Sequence, residues 1–188
     1  MNMFNTTRNA FILILSIFWI SYPFSFVCAQ AENSSMITRI QEYYLGQSIK
    51  DAKGLTEFTD EEYRMFELAG APKYFKDEKT YNARDVSFLE VNWETIIGAT
   101  EGKVYKIALL YMTDYESEVN AVYKHTLEYL VNKIGNQSEH LSNSNQYIWQ
   151  TKDGNILFNK VSNSGYYSVN LILTSNAINT NNLLRELK

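Results

Sequence analysis

The stretch VSFLEVNWETIIGATEGKVYKIALLYM, residues 86–112, decides the fold. It is dense in β-branched and aromatic residues, the types that suit a pleated, half-buried surface. Thr100-Glu101-Gly102 cuts it with a short hairpin-like turn. The expectation is two antiparallel strands, VSFLEVNWETIIGA over 86–99 and KVYKIALLYM over 103–112. In the second, Val104, Ile107 and Leu109 do not alternate strictly, which predicts one buried face and one partly covered face.

On the C-terminal side, Thr113 and Glu116 have capping-box spacing ahead of the clearest helical pattern in the chain. Val119, Tyr123, Leu127, Leu130 and Ile134 follow the 3.6-residue period, and Gly135 stands where a C-terminal cap belongs. This helix is expected to lay its stripe against the sheet. After the polar loop NQSEHLSNSN (136–145), YIWQTK and NILFNK flank Asp153-Gly154, the signature of a type I′ hairpin. Asn163-Ser164-Gly165 turns the chain into YYSVNLILT (166–174), where Tyr167, Val169, Leu171 and Leu173 alternate as a half-buried strand.

The N-terminal side is punctuated more like helix. In NSSMITRIQEYYL (33–45), Ile37, Ile40 and Tyr44 have helical spacing, although RIQEYY also reads as an edge strand. Ser48 and Asp51 open a short helix that Gly54 closes. Thr59 and Glu62 form a capping box for DEEYRMFELAGAP (60–72), with Tyr63 and Phe66 on one face and Gly70 and Pro72 as the stop. Residues 73–85 are charged and polar, and read as a surface loop.

The chain begins as an exported protein does. Arg8 supplies a positive start, AFILILSIFWI (10–20) an apolar core, and Pro23 a helix end. Val27 and Ala29, or Ala29 and Ala31, give a signal peptidase its small residues. Two alternatives stand beside cleavage. The apolar run, extended to Ala29, approaches the roughly 20 residues that span a bilayer as an uncleaved anchor. Lipidation of Cys28 needs small residues before the cysteine, and Phe26-Val27 fits that poorly. Cleavage after Ala29 or Ala31 removes Cys28, the only cysteine, and with it disulfides and thiolate chemistry. What remains is long enough for one domain burying about two-thirds of its extended-chain surface. The expected organisation is a signal peptide over 1–31, a single α+β domain over 32–175, and a poorly ordered polar tail over 176–188. Within the domain, short N-terminal helices precede an antiparallel sheet of about five or six strands with one long amphipathic helix on one face.

Composition narrows function. The net charge of −4 falls one unit further when Arg8 leaves with the leader, and no basic cluster supports nucleic-acid binding. The Asn- and Lys-rich, proline-poor composition favours a bacterial source, so Asn136-Gln137-Ser138 is a glycosylation sequon only if the source is eukaryotic. His125 on the polar side of the long helix and His140 in the loop lack metal-ligand spacing, and no metal or cofactor is expected. No strained nucleophile turn is present, and Ser164 reads as a turn residue. Asp60, Glu61 and Glu62 suit a helix N-terminus, leaving Glu90 and Glu94 as the carboxylates of a hydrolase alternative. Trp93, Trp149, Tyr166 and Tyr167 are the candidate binding surface, since such side chains anchor protein interfaces. Tyr166 and Tyr167 point to opposite faces of a regular strand, so at most one of them faces outward.

Gly46-Gln47-Ser48-Ile49-Lys50-Asp51-Ala52, followed by Leu68-Ala69-Gly70-Ala71-Pro72, resembles the opening of the outer-membrane assembly lipoproteins and the β-lactamase-inhibitor-protein fold. Ile134-Gly135-Asn136 echoes the second half of that pattern. The resemblance covers residues 44–72 and 116–174. It implies a helix-plus-antiparallel-sheet module that binds other proteins and carries no catalytic residues. The chain departs from it in lacking a lipoprotein cysteine box and in the wide separation of its two glycine motifs. The reading is therefore a periplasmic or secreted interaction module whose partner is another exported or envelope protein. A small-molecule or lipid carrier and a carboxylate-dependent hydrolase are the alternatives.

Overall fold

The computed structural model describes residues 37–68, 73, 75, 77–137, 139–141, 145–163 and 166–176. The leader with Cys28, the Gly70/Pro72 stop, the Ser164-Gly165 turn and the tail from 177 lie outside them. Two strands, β1 (Arg39–Ile40) and β2 (Tyr43–Tyr44), form a small hairpin. Next come β3 (Leu55–Glu57), α1 (Asp60–Leu68), β4 (Lys79–Phe88), β5 (Val91–Thr100) and β6 (Lys103–Thr113). The long helix α2 (Glu116–Ile134) leads to β7 (Glu139–Leu141), β8 (Gln146–Gln150), β9 (Gly154–Asn163) and β10 (Tyr166–Ser175). Strands β3 to β10 make one antiparallel sheet of eight in the order β3-β4-β5-β6-β10-β9-β8-β7. Two meanders thus meet at β6 and β10, and α2 carries the chain from the middle of the sheet to its far edge. The domain is α+β, with a sheet larger than the five or six strands expected.

The additional strands come from segments whose composition hides them. Residues 79–83 pair with β5 and 81–83 also with β3, although Asn82 within them and Arg84 and Asp85 just beyond are poor strand formers. A bulge between Ala83 and Val86 breaks their alternation, and Val86–Ala99 is divided by a turn at Leu89 and Glu90. Both turn residues have positive φ, 53° and 63°, as a type I′ link demands. The turn after β5 has the same geometry, with Glu101 at 52° and Gly102 at 74°. The 151–154 hairpin does form, but its link is Lys152-Asp153, closed by Thr151 N–H on the Gly154 carbonyl, and without positive φ.

Two of the expected N-terminal helices are absent. Ile40 and Tyr43 are buried together as cross-strand partners of the β1–β2 hairpin, while the next residue, Tyr44, turns to the other face and is 43% exposed. The following segment spends its backbone on β6: Gly46 N–H bonds to the Val104 carbonyl, Val104 N–H to Gln47, and Ile49 N–H to Gly102. Helix α1 does form. Thr59 Oγ1 accepts from Glu62 N–H at 3.3 Å and Glu62 Oε2 accepts from Thr59 N–H at 2.8 Å, a reciprocal capping box. At α2 the expected box is displaced. Tyr115 is the N-cap without a side-chain bond, and Thr113 instead accepts from Tyr115 N–H and donates to Glu118.

The core has two layers. Under α2, Val119, Leu130 and Ile134 pack on Ile97, Ile107, Leu109, Val169, Leu171 and Leu173. The polar Thr126 is also buried on this stripe, with Tyr123 and Leu127 half-buried beside it. On the opposite face, Tyr63 and Phe66 of α1 pack with Phe58 on Ile96, Ala108, Leu110 and Ile172. The helices therefore cover both faces rather than one, and β5, β6 and β10 lose the simple alternation of a sheet with one wet side. Among the described residues, no helix is long and apolar enough to cross a membrane.

Candidate functional site

The four aromatic residues proposed as a binding surface do not act together. Trp93 and Trp149 are 4% and 2% exposed. Each spends its indole N–H on a backbone carbonyl, Trp93 on Phe88 at 3.0 Å and Trp149 on Gly135 at 2.9 Å. They are core residues, because strand alternation turns both toward α2 along with Ile97 and Ile156. Tyr167 packs at the margin of that same core. Tyr166, the preceding residue, is half-buried and falls on the α1 face of β10.

That face is divided crosswise. The rung Ile148–Leu157–Ile172–Ala108–Ile96 is apolar and runs through the α1 cluster. The next rung, Gln146–Asn159–Asn170–Leu110–Glu94, is mostly polar, and Asn170 Nδ2–H donates to Asn159 Oδ1 at 2.8 Å. At the β4–β6 end of this polar half lies an open groove of about 580 Å³. Its polar lining is Asn82, Arg84, Asn92 and Glu94, and Leu110 and Met112 supply apolar floor. The β4 bulge shapes it. Ala83 faces Thr95 and Val86 faces Trp93, so Arg84 and Asp85 together oppose Glu94.

Arg84 and Glu94 are exposed cross-strand neighbours of opposite charge, yet neither side chain makes an ion pair or hydrogen bond among the described residues. The side-chain amides of Asn82 and Asn92 are likewise without a partner there. Two of the large apolar side chains exposed on the described surface are close in sequence at this end, Met112 at 36% and Tyr115 at 65%. Glu94 is the only carboxylate among the described lining residues, and Glu90 occupies the β4–β5 turn. Among the described lining residues, no second acid stands beside Glu94 as a two-carboxylate centre would require.

A second hollow, of about 370 Å³, opens beside the start of α1. Each charged side chain lining it is engaged. Lys73 bonds Asp60 at 2.6 Å, Lys79 bonds Glu57 at 2.9 Å, and Asp77 accepts from the Thr100 hydroxyl at 3.1 Å. Glu78 pairs with Lys106 at 2.6 Å with both side chains fully buried, and the Tyr105 hydroxyl donates to its other oxygen. Lys106 also lies 3.4 Å from the Tyr63 hydroxyl. The sequence signal for this buried cluster was the broken alternation of β6. A bulge opposite Gly98 and Ala99 inserts Tyr105, so that consecutive residues 105 and 106 both reach Glu78. Gly98 is required beneath them, since a Cβ there would stand 2.7 Å from Glu78 Oε1.

His125 is exposed on α2, as its position on the polar side implies, and the His140 side chain lies outside the described residues. Among the described residues, no group of three or more His, Cys, Asp and Glu side chains is placed to hold a metal ion. Comparison with protein-family models, with curated proteins and with solved structures returns no match.

Proposed function

We propose that the protein is an exported, non-enzymatic module that docks on another exported or envelope protein through the groove between β4, β5 and β6. The observation that carries this reading is the contrast between the two hollows. Beside α1 every charged lining group already has a partner, whereas the groove presents Asn82, Arg84, Asn92 and Glu94 unengaged around exposed Met112. Convergent polar groups left open around an apolar floor are what an interface needs, because a partner supplies the missing bonds while the apolar area drives association. A carrier of lipid or another small molecule needs enclosed apolar volume, and this groove is open and flanked by charge.

The test is a pull-down from an envelope extract with the folded domain and with a Met112→Asp variant. One saturable protein partner retained by the former and lost by the latter is expected. Failure of any partner to saturate on folded protein would sink the proposal. The hydrolase alternative is tested separately, by broad hydrolase screening of Glu90→Gln and Glu94→Gln beside the unaltered chain. Activity present in the unaltered chain and lost in either variant would replace the docking reading.

A further inference from the structure

Resting on the docking reading above, we infer that the groove takes an extended polypeptide segment that is dipolar, carrying one acidic and one basic side chain beside an apolar residue. Opposite charges facing each other across antiparallel strands ordinarily pair, which stabilises the sheet. Arg84 and Glu94 occupy such positions across the β4 bulge and stay apart, so each offers its charge outward over the same groove. A ligand of one sign meets attraction at one of these residues and repulsion at the other, and only a ligand carrying both signs satisfies both. Asn82 and Asn92 each present a donor and an acceptor, the pair of functions that a peptide group requires. Met112 supplies the exposed apolar contact. The zwitterionic head group of a lipid matches the charges but offers no amide N–H for the asparagines, and the observations favour polypeptide.

The experiment uses three blocked pentapeptides of identical length, with Asp and Lys, two Asp, or two Lys flanking a central Leu. Binding is read from the side-chain amide resonances of Asn82 and Asn92 and the Nε resonance of Arg84. The Asp/Lys peptide is expected to shift all three saturably, and the single-sign peptides to bind roughly two- to fivefold more weakly, the worth of one exposed ion pair. Arg84→Glu is expected to transfer the preference to the two-Lys peptide, and Glu94→Arg to the two-Asp peptide. Equal binding of all three peptides, or a preference unmoved by either substitution, overturns the dipolar inference and leaves the docking reading standing. Absence of any shift with every peptide overturns both. Shifts produced by phosphatidylcholine vesicles and not by peptides would reassign the groove to lipid.

Discussion

The indole N–H of Trp149 donates to the carbonyl oxygen of Gly135 across 2.9 Å, so the β8–β9 hairpin is fastened to the residue that ends α2. Gly135 has φ of +98° and its own N–H closes on the Val131 carbonyl, making it donor to the helix and acceptor to the sheet. Trp149→Phe keeps most of the ring but strands that carbonyl, and is expected to cost about 1–2 kcal/mol. Gly135→Ala adds strain at a left-handed position, at about 1 kcal/mol. Urea unfolding followed by circular dichroism reads both. Because Trp93 and Trp149 are both buried, their emission is also expected to be blue-shifted and weakly quenched by acrylamide in the folded domain.

The Glu78–Lys106 pair gives a sharper stability signature than any apolar contact. Removing one partner leaves a buried charge uncompensated, so Glu78→Gln and Lys106→Met are each expected to destabilise by roughly 3–5 kcal/mol. The double variant is expected to lose less than the two singles together, and a double-mutant cycle by chemical unfolding measures the difference. Strict additivity would show that the two side chains are not coupled. Gly98→Ala is expected to perturb the same cluster, because its methyl group would meet Glu78 and Lys106.

Acid is expected to loosen the start of α1. The Thr59 backbone N–H, and then its hydroxyl, hold the Glu62 carboxyl below the usual glutamate range. The native state thus binds this proton less readily than the unfolded chain does. The contribution is complete above the ordinary glutamate value near 4.3 and is lost as pH falls through the lower native value. The protection factor of the Thr59 amide, its exchange rate divided into the intrinsic rate at each pH, should fall over that interval, and Glu62→Gln should remove the dependence.

Alkali is expected to act on the other layer. Burial between α2, which carries it, and the sheet, reinforced by Tyr147, pushes the Tyr123 hydroxyl far above the ordinary tyrosine range. Its ring stacks on Phe158 with centroids 5.0 Å apart, and its hydroxyl donates to the Asn145 carbonyl at 3.2 Å. Below pH 10 both folded and unfolded chains keep the proton. Above it the unfolded chain ionises first, and stability declines as pH rises toward the native value. The alkaline limb of a pH–stability curve should be shallower in Tyr123→Phe.

Elements set by local chemistry were legible in the sequence. The period of Val119 to Ile134, the cap at Gly135 and the Thr59/Glu62 box all rest on contacts within a few residues, and each forms. Strand β4 was not legible, because Asn82, Arg84 and Asp85 are tolerated only by neighbours distant in sequence and the bulge erases their alternation. The expected I′ link at Asp153-Gly154 shows the same limit. Positive φ occurs instead at Leu89 and Glu90, where the pairing of β4 with β5 overrides local preference. For the groove, Glu94 was visible as a carboxylate, but its juxtaposition with Arg84 depends on a register that composition does not encode. For the tryptophans the sequence leaves surface and core both open, because residue type alone does not reveal which side of a strand meets a helix, and the fold buries both.

Both margins of the eight-stranded sheet are stubs, three residues at β3 and three at β7. The length of β4 beyond β3 is bent by its bulge, and Gln41 bonds the Ser87 carbonyl there. Backbone zippering between molecules consequently has almost no template on which to start. Among the described residues, outer strands this short leave a chain rich in aromatic and β-branched residues little free backbone at β3 and β7 from which to polymerise along its strands.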